Sequence, residues 1–191
     1  MFEIRIHGRG GQGVVTAAEL LSVAAFLDGK HAQAFPSFGS ERMGAPVLAF
    51  CRIDHVPIRT REPVSEPDAL IVQDATLLRQ PAGVFAGLRP NGYVLVNSSR
   101  QVAELGLPDV AGPGRLVAVP ASQLALEHVG RPLPNAALLG GFAALTGRVS
   151  LASVLTAINE RFSGRVAAGN AAAAEHAFAL IRTLREEPAR A

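Results

Sequence analysis

The sequence predicts a single α/β domain, Rossmann-like, with a mostly parallel sheet, helices on both faces and a helical C-terminal third. Three observations carry this. A strand-like opening breaks into a glycine-rich turn and then a helical pattern; three short runs in the middle are apolar at every position; and the residues after Pro120 are mostly helical in pattern. Strand–turn–helix is the first unit of a wound α/β fold, and strands apolar on both sides suit a parallel sheet covered on both faces. The chain has 191 residues, 49% of them apolar and 18% charged, which is enough for one packed domain over 1–191 and too little for two ordinary ones.

The opening alternates Phe2, Ile4 and Ile6 with polar residues, which is a strand period. After the break at residues 8–13, Val14, Ala17, Ala18, Leu21, Ala24 and Ala25 fall at helical spacing up to about Leu27. Residues 32–35 form a second strand and residues 47–53 a third. Asp54 and His55 then turn into Val56-Pro57-Ile58, so that 47–53 and 56–58 are expected as a hairpin or antiparallel annex. The fully apolar strands follow at 69–73, 93–97 and 115–119. Helices are predicted over 121–129, over 135–146 between Pro134 and Gly147, over 151–161 capped by Ser150, and over about 166–187 before Pro188. The alanine run 171–174 would let another surface approach that last helix closely. The glycine turn should then lie at the C-terminal edge of the sheet, where such folds bind ligands.

Composition excludes several functions. A formal charge of +2, with basic residues forming no stripe, gives no case for nucleic acid. No apolar run approaches the roughly 18 residues that span a bilayer, and the first residues read as a strand instead of a signal peptide. A cytoplasmic protein without membrane contact is expected. One cysteine, Cys51, excludes an internal disulfide, a thiolate zinc site and a cysteine-held iron–sulfur cluster within this chain. Cys51 lies in an apolar strand and reads as a buried, inert thiol.

The first candidate site is the glycine turn: Gly8, Arg9, Gly10, Gly11, Gln12 and Gly13. Gly8, Gly10 and Gly13 have dinucleotide-binding spacing, and free amides at the helix start attract an anion. The acidic residue such a site wants near the end of the second strand is missing, since residues 32–37 read AQAFPS. Three uses stay open at this point: a private dinucleotide site, contact with a cofactor at a subunit boundary, or packing against another polypeptide. Arg9 and Gln12 are long enough to donate hydrogen bonds outward. The second candidate is the segment 37–46, where Glu41 and Arg42 are placed for an interface or for an ordinary solvated pair. The five histidines show no metal-ligand spacing, with His128 and His176 on separate helices, and no metal ligand is assigned. His7, at the end of the first strand, is more simply a structural histidine than a functional one.

Two long motifs add a resemblance. HGRGGQG (7–13) with AAELL (17–21), and AQAFP (32–36) with GSER (39–42) and GAPV (44–47), are followed by EPD (66–68), VQD (72–74), Asn97, Asn135 and the stretch 158–166. Over nearly the whole chain this resembles the gamma subunit of the 2-oxoacid:ferredoxin oxidoreductases, pyruvate synthase among them. The resemblance implies a subunit of an enzyme that converts a 2-oxoacid and coenzyme A to acyl-CoA and CO2. Thiamine diphosphate with Mg2+ would then sit on alpha and beta subunits and [4Fe–4S] clusters on a delta subunit. Electrons would pass to ferredoxin or, through an added flavin subunit, to NAD. It implies no catalytic side chain here; the glycine turn would serve the assembled complex, and Glu41 and Arg42 an inter-subunit contact. Pyruvate, branched-chain, aryl and indolyl 2-oxoacids all stay open. The alternatives are a free-standing dinucleotide-binding protein and a purely structural adaptor.

Overall fold

A computed structural model of the chain describes residues 1–37 and 43–186. Six strands, β1 (Phe2–Arg9), β2 (His31–Pro36), β3 (Pro46–Asp54), β4 (Ala69–Val72), β5 (Tyr93–Asn97) and β6 (Leu116–Val119), form one sheet in the order β2-β3-β1-β4-β5-β6. β4, β5 and β6 continue from β1 in parallel, while β3 runs antiparallel to both β1 and β2. The sheet is therefore mixed but mostly parallel, as the apolar strands 69–73, 93–97 and 115–119 predict.

The antiparallel annex exists with different partners from those expected. β3 pairs with β2 and β1, Phe2 opposite Ile53 and Arg9 opposite Pro46, whereas residues 56–58 join no strand. Pro57 and the polar residues that follow make a poor ladder, and β1 offers β3 an edge of eight residues instead.

Side-chain alternation sorts the two faces. Phe2, Ile4, Ile6, Cys51, Ile71, Leu95 and Val117 share one core with the long helices α1 (Val14–Leu27), α3 (Ala121–Val129), α4 (Asn135–Thr146), α5 (Leu151–Arg161) and α6 (Gly164–Glu186). Leu70, Val72, Val94 and Val96 face the other way, under a 3₁₀ turn at Ala75–Arg79 and the one-turn helix α2 (Pro81–Phe85). α4 is buried on nearly every side because it lies between the sheet and α6. Its glycines allow this: a Cβ on Gly140 would lie 2.0 Å from the Ala174 carbonyl oxygen, and one on Gly141 would lie 2.9 Å from Ile181. The alanine run of α6 is thus the surface that lets α4 in. Ser150 caps α5 through the Ser153 amide at 3.1 Å, and the Asp28 carboxylate accepts from Ser150 and Ser153, tying the end of α1 to the start of α5. No helix among the described residues is long and apolar enough to cross a membrane.

Candidate functional site

The glycine turn lies at the C-terminal ends of β1 and β4. α1, after β1, covers one face and the 3₁₀ turn, after β4, covers the other, so chain connections diverge here and leave a crevice. Gly11 (φ 91°) and Gly13 (φ 73°) take left-handed conformations that a side chain would strain. Gly13 also lets α1 start beneath α4, since a Cβ there would stand 2.7 Å from the Asn135 amide nitrogen. Gly8, still in β1, lies where a Cβ would crowd Val14 at 2.5 Å.

Among the described residues no side chain caps α1, and its first turn holds no acidic residue. Its leading amides therefore face outward unsatisfied by intrahelical bonds. They border a cavity of about 220 Å³ lined by Arg9, Gly11, Gly13, Val14, Thr16 and Val47. Residues 43–45, the described end of the second candidate segment, meet the glycine turn in this region. The Gly10 amide donates to Ala45 O (2.9 Å), the Gly44 amide donates to Gly10 O (3.2 Å), and Met43 bridges Gly10. Glu41 and Arg42 lie outside the described residues.

Arg9 and Gln12 do not reach outward. Arg9 donates through Nε to Asp74 (3.0 Å) and through its terminal nitrogens to Gly44 O (3.0 Å) and Thr76 Oγ1 (2.9 Å). Gln12 donates to the same Asp74 oxygen at 3.0 Å, and its Oε1 accepts from the Arg9 amide at 2.8 Å. Burial alone would raise the Asp74 carboxyl; the hydrogen bonds from Thr76 and Gln12 and the Arg9 charge outweigh it and hold the group below the usual carboxylate range. Asp74, two residues past β4, thus fixes the turn from within. No spacing rule joins it to Arg9, and only the VQD motif marked it.

Gln73 is the second residue that spacing alone did not single out. It is 1% exposed, and neither Oε1 nor Nε2 meets a partner among the described residues. Its Oε1 stands 3.2 Å from where a Gly8 Cβ would be, beside the start of α1. A buried amide left unsatisfied costs about 1–3 kcal/mol, so each such group calls for an explanation, a bound water, ion or ligand among them. Next to it Asn97 donates to Gln73 O and Ser122 Oγ, both at 2.8 Å, and accepts from the Ser122 amide, which docks the start of α3.

The remaining candidates are structural. His7 accepts from Arg5 Nε at 3.0 Å; burial, and then the Arg5 charge, push its imidazole down to about 3, so it is neutral at pH 7. Cys51 is fully buried, and burial pushes its thiol up, out of the reactive range. His128 and His176, read from sequence as unrelated, are in contact at 3.2 Å. A wider cavity of about 930 Å³ runs beside the edge strand β6, with Arg100, Arg115 and Arg185 in its lining.

Comparison with known proteins places this architecture. Residues 3–180 match the family described as pyruvate ferredoxin/flavodoxin oxidoreductase. The chain is 51% identical to the pyruvate/ketoisovalerate oxidoreductases common subunit gamma of Thermococcus kodakarensis, over 93% of this chain and 96% of that one. It is 47% identical to pyruvate synthase subunit PorC of Methanothermobacter thermautotrophicus, over 97% and 98% of the two chains. The crystal structure of pyruvate oxidoreductase subunit PORC from Thermotoga maritima superposes with a TM-score of 0.78 at 34% identity, covering 93% of this chain and 95% of that one. With motif order, fold and length in agreement, this chain belongs to the pyruvate ferredoxin/flavodoxin oxidoreductase family, as a gamma (PorC) subunit of a multi-subunit 2-oxoacid:ferredoxin oxidoreductase.

Proposed function

We propose that this gamma subunit assists the conversion of a 2-oxoacid and coenzyme A to acyl-CoA and CO2 without contributing a catalytic side chain. Its partners would be alpha, beta and delta subunits, with ferredoxin or an NAD-linked flavin subunit accepting the electrons. The residues present do not fit an iron–sulfur cluster: Cys51 is the sole cysteine, and it is buried inside β3. Thiamine diphosphate, with its Mg2+, supplies its own ylid and electron sink. This chain's part is to orient an anionic group, a coenzyme A phosphate or a partner's carboxylate, at the glycine turn. A relative named as common to pyruvate and ketoisovalerate oxidoreductases supports the division of labour, because a subunit shared by both is ill-suited to choose the 2-oxoacid.

The observation that carries the reading is the uncapped start of α1 beside the orphaned Gln73 amide. The backbone amides of Gly11 and of residues 13–16, with Gln73 Nε2 behind Gly8, would hold the anion. Arg9 and Gln12, already engaged by Asp74, would keep the loop in shape. A free-standing dinucleotide site is disfavoured by the sheet order. β3 stands between β1 and β2, so the end of β2 lies two strand spacings, roughly 9.5 Å, from the turn.

The test is half-reaction kinetics on the assembled complex carrying Gln73→Leu or Arg9→Ala. Each should raise the KM for coenzyme A about tenfold, in line with one lost buried hydrogen bond, or loosen subunit association. Cluster reduction by 2-oxoacid without coenzyme A should continue at the wild-type rate. A loss of roughly 10²–10⁴ in that half-reaction, the signature of a missing acid or base, would put chemistry on this chain and overturn the reading.

A further inference from the structure

We propose that Glu127, His128 and His176 form a binding site for a late first-row divalent metal ion, zinc foremost, that clips the C-terminal end of α3 to the middle of α6. One donor atom from each residue lies within 4.8 Å of the others. His128 Nε2 and His176 Nδ1 face each other at 3.2 Å, with the rings edge to face at 74°. Two nitrogens bound to one tetrahedral zinc at 2.0–2.1 Å must stand roughly 3.3–3.4 Å apart. The imidazole pair therefore already spans one edge of such a tetrahedron. Glu127, exposed at the rim, supplies a third donor, and water completes the shell, which is the ligand count of an open zinc site.

Two features of the fold prepare this spot. The backbones beneath it are in direct contact: Gly169 lies two turns before His176 on α6, and a Cβ there would stand 2.4 Å from the His128 carbonyl oxygen. Little helix movement is then needed to bring the donors together. His128 also occupies the last turn of α3, just before the left-handed Gly130, so a cation would sit at the negative end of that helix. Imidazole with carboxylate suits zinc, nickel or copper, and selects against magnesium and calcium, which prefer all-oxygen shells. The opposite end of α3 carries Ser122, bonded to Asn97 beside the glycine turn, so the clip steadies the helix from the far side of the proposed anion site and is independent of it.

Isothermal titration of the full, tag-free chain with ZnCl2 tests this, with Co2+ absorption reporting coordination. The expected result is one equivalent bound, a tetrahedral Co2+ spectrum, and a zinc-dependent rise in Tm. His176→Ala and His128→Ala should each weaken binding at least tenfold, the lower bound seen even for outer-shell losses, and Glu127→Gln should weaken it less. Tm measured in chelator checks that each variant is folded. Zinc binding no tighter than to the double histidine variant, or equal displacement by Mg2+, would overturn the proposal and leave only a hydrogen bond between the two imidazoles.

Discussion

The helical face of the sheet and the β1–β3 half of its other face reach stability by opposite means. On the helical face, Ile4, Ile6, Ile71 and Leu95 are fully buried against helices rich in alanine and glycine, and α4 and α6 touch backbone to backbone. On the opposite face of β1 and β3, Glu3, Arg5, His7 and Arg52 are each less than one-tenth exposed. Arg52 pairs with Glu3 at 2.8 Å and donates to Glu62 O; Arg5 donates to Val84 O and Ala86 O at 2.9 and 2.6 Å. The cover on this half is irregular chain, residues 55–68, and a one-turn helix, whose carbonyls have no ladder to satisfy them. A guanidinium, with five donors in a fixed fork, can meet several such carbonyls at once. Regular helices permit an apolar interface; over β1 and β3 the irregular cover is held by buried cations instead.

That contrast can be broken most sharply at Arg52. Arg52→Ala should destabilise the chain by about 3–5 kcal/mol in urea unfolding, because Glu3 is left buried with only the half-exposed Arg89 nearby. Adding Glu3→Leu should recover part of the loss. It should not recover all of it, since Glu62 O still lacks its donor. Full additivity of the two losses would show that the pair is not coupled. On the helical face, Gly140→Ala should cost about 2–3 kcal/mol and lower Tm, because the new methyl meets the Ala174 backbone, which cannot rotate away. An unchanged Tm would mean that the helices separate freely.

The third test is pH. His7 binds a proton at about pH 6.5 when unfolded and only near 3 when folded. The unfolded chain therefore binds more protons between those values, so stability is full above pH 6.5 and falls as pH drops toward 3. Between pH 7 and 5 the loss should be roughly 2 kcal/mol. His7→Gln, which still offers Arg5 an acceptor, should flatten that slope; the same slope in the variant would assign it to another group.

How far the sequence foretold these regions follows the same division. The helical face was legible because apolar periodicity and small-residue runs mark it, down to the Ser150 cap and the alanines under α4. The charged half of the other face was not, because Glu3, Arg5 and Arg52 look like solvent-facing residues of an alternating strand, and only their tertiary cover buries them. The antiparallel placement of β3 followed from the availability of β1, which local turn signals at 54–58 do not encode. At the site, the glycines named the turn. The inward set of Arg9, the isolation of Gln73 and the meeting of His128 with His176 arise from residues dozens of positions apart, where spacing carries no signal.

The central position of β1 also sets the order in which the chain can be built. β1 is synthesised before every other strand of this sheet, yet its neighbours are β3, at Pro46–Asp54, and β4, at Ala69–Val72. At about 5–20 residues per second, several seconds pass before both edges of β1 can close. Through that interval a strand carrying Phe2, Ile4 and Ile6 has unpaired amides on both sides, with only α1 available to shelter it. The alternation with Glu3, Arg5 and His7 then acts as a gatekeeper: the charges that later stitch down the loop cover first keep the nascent strand from pairing with its own copies.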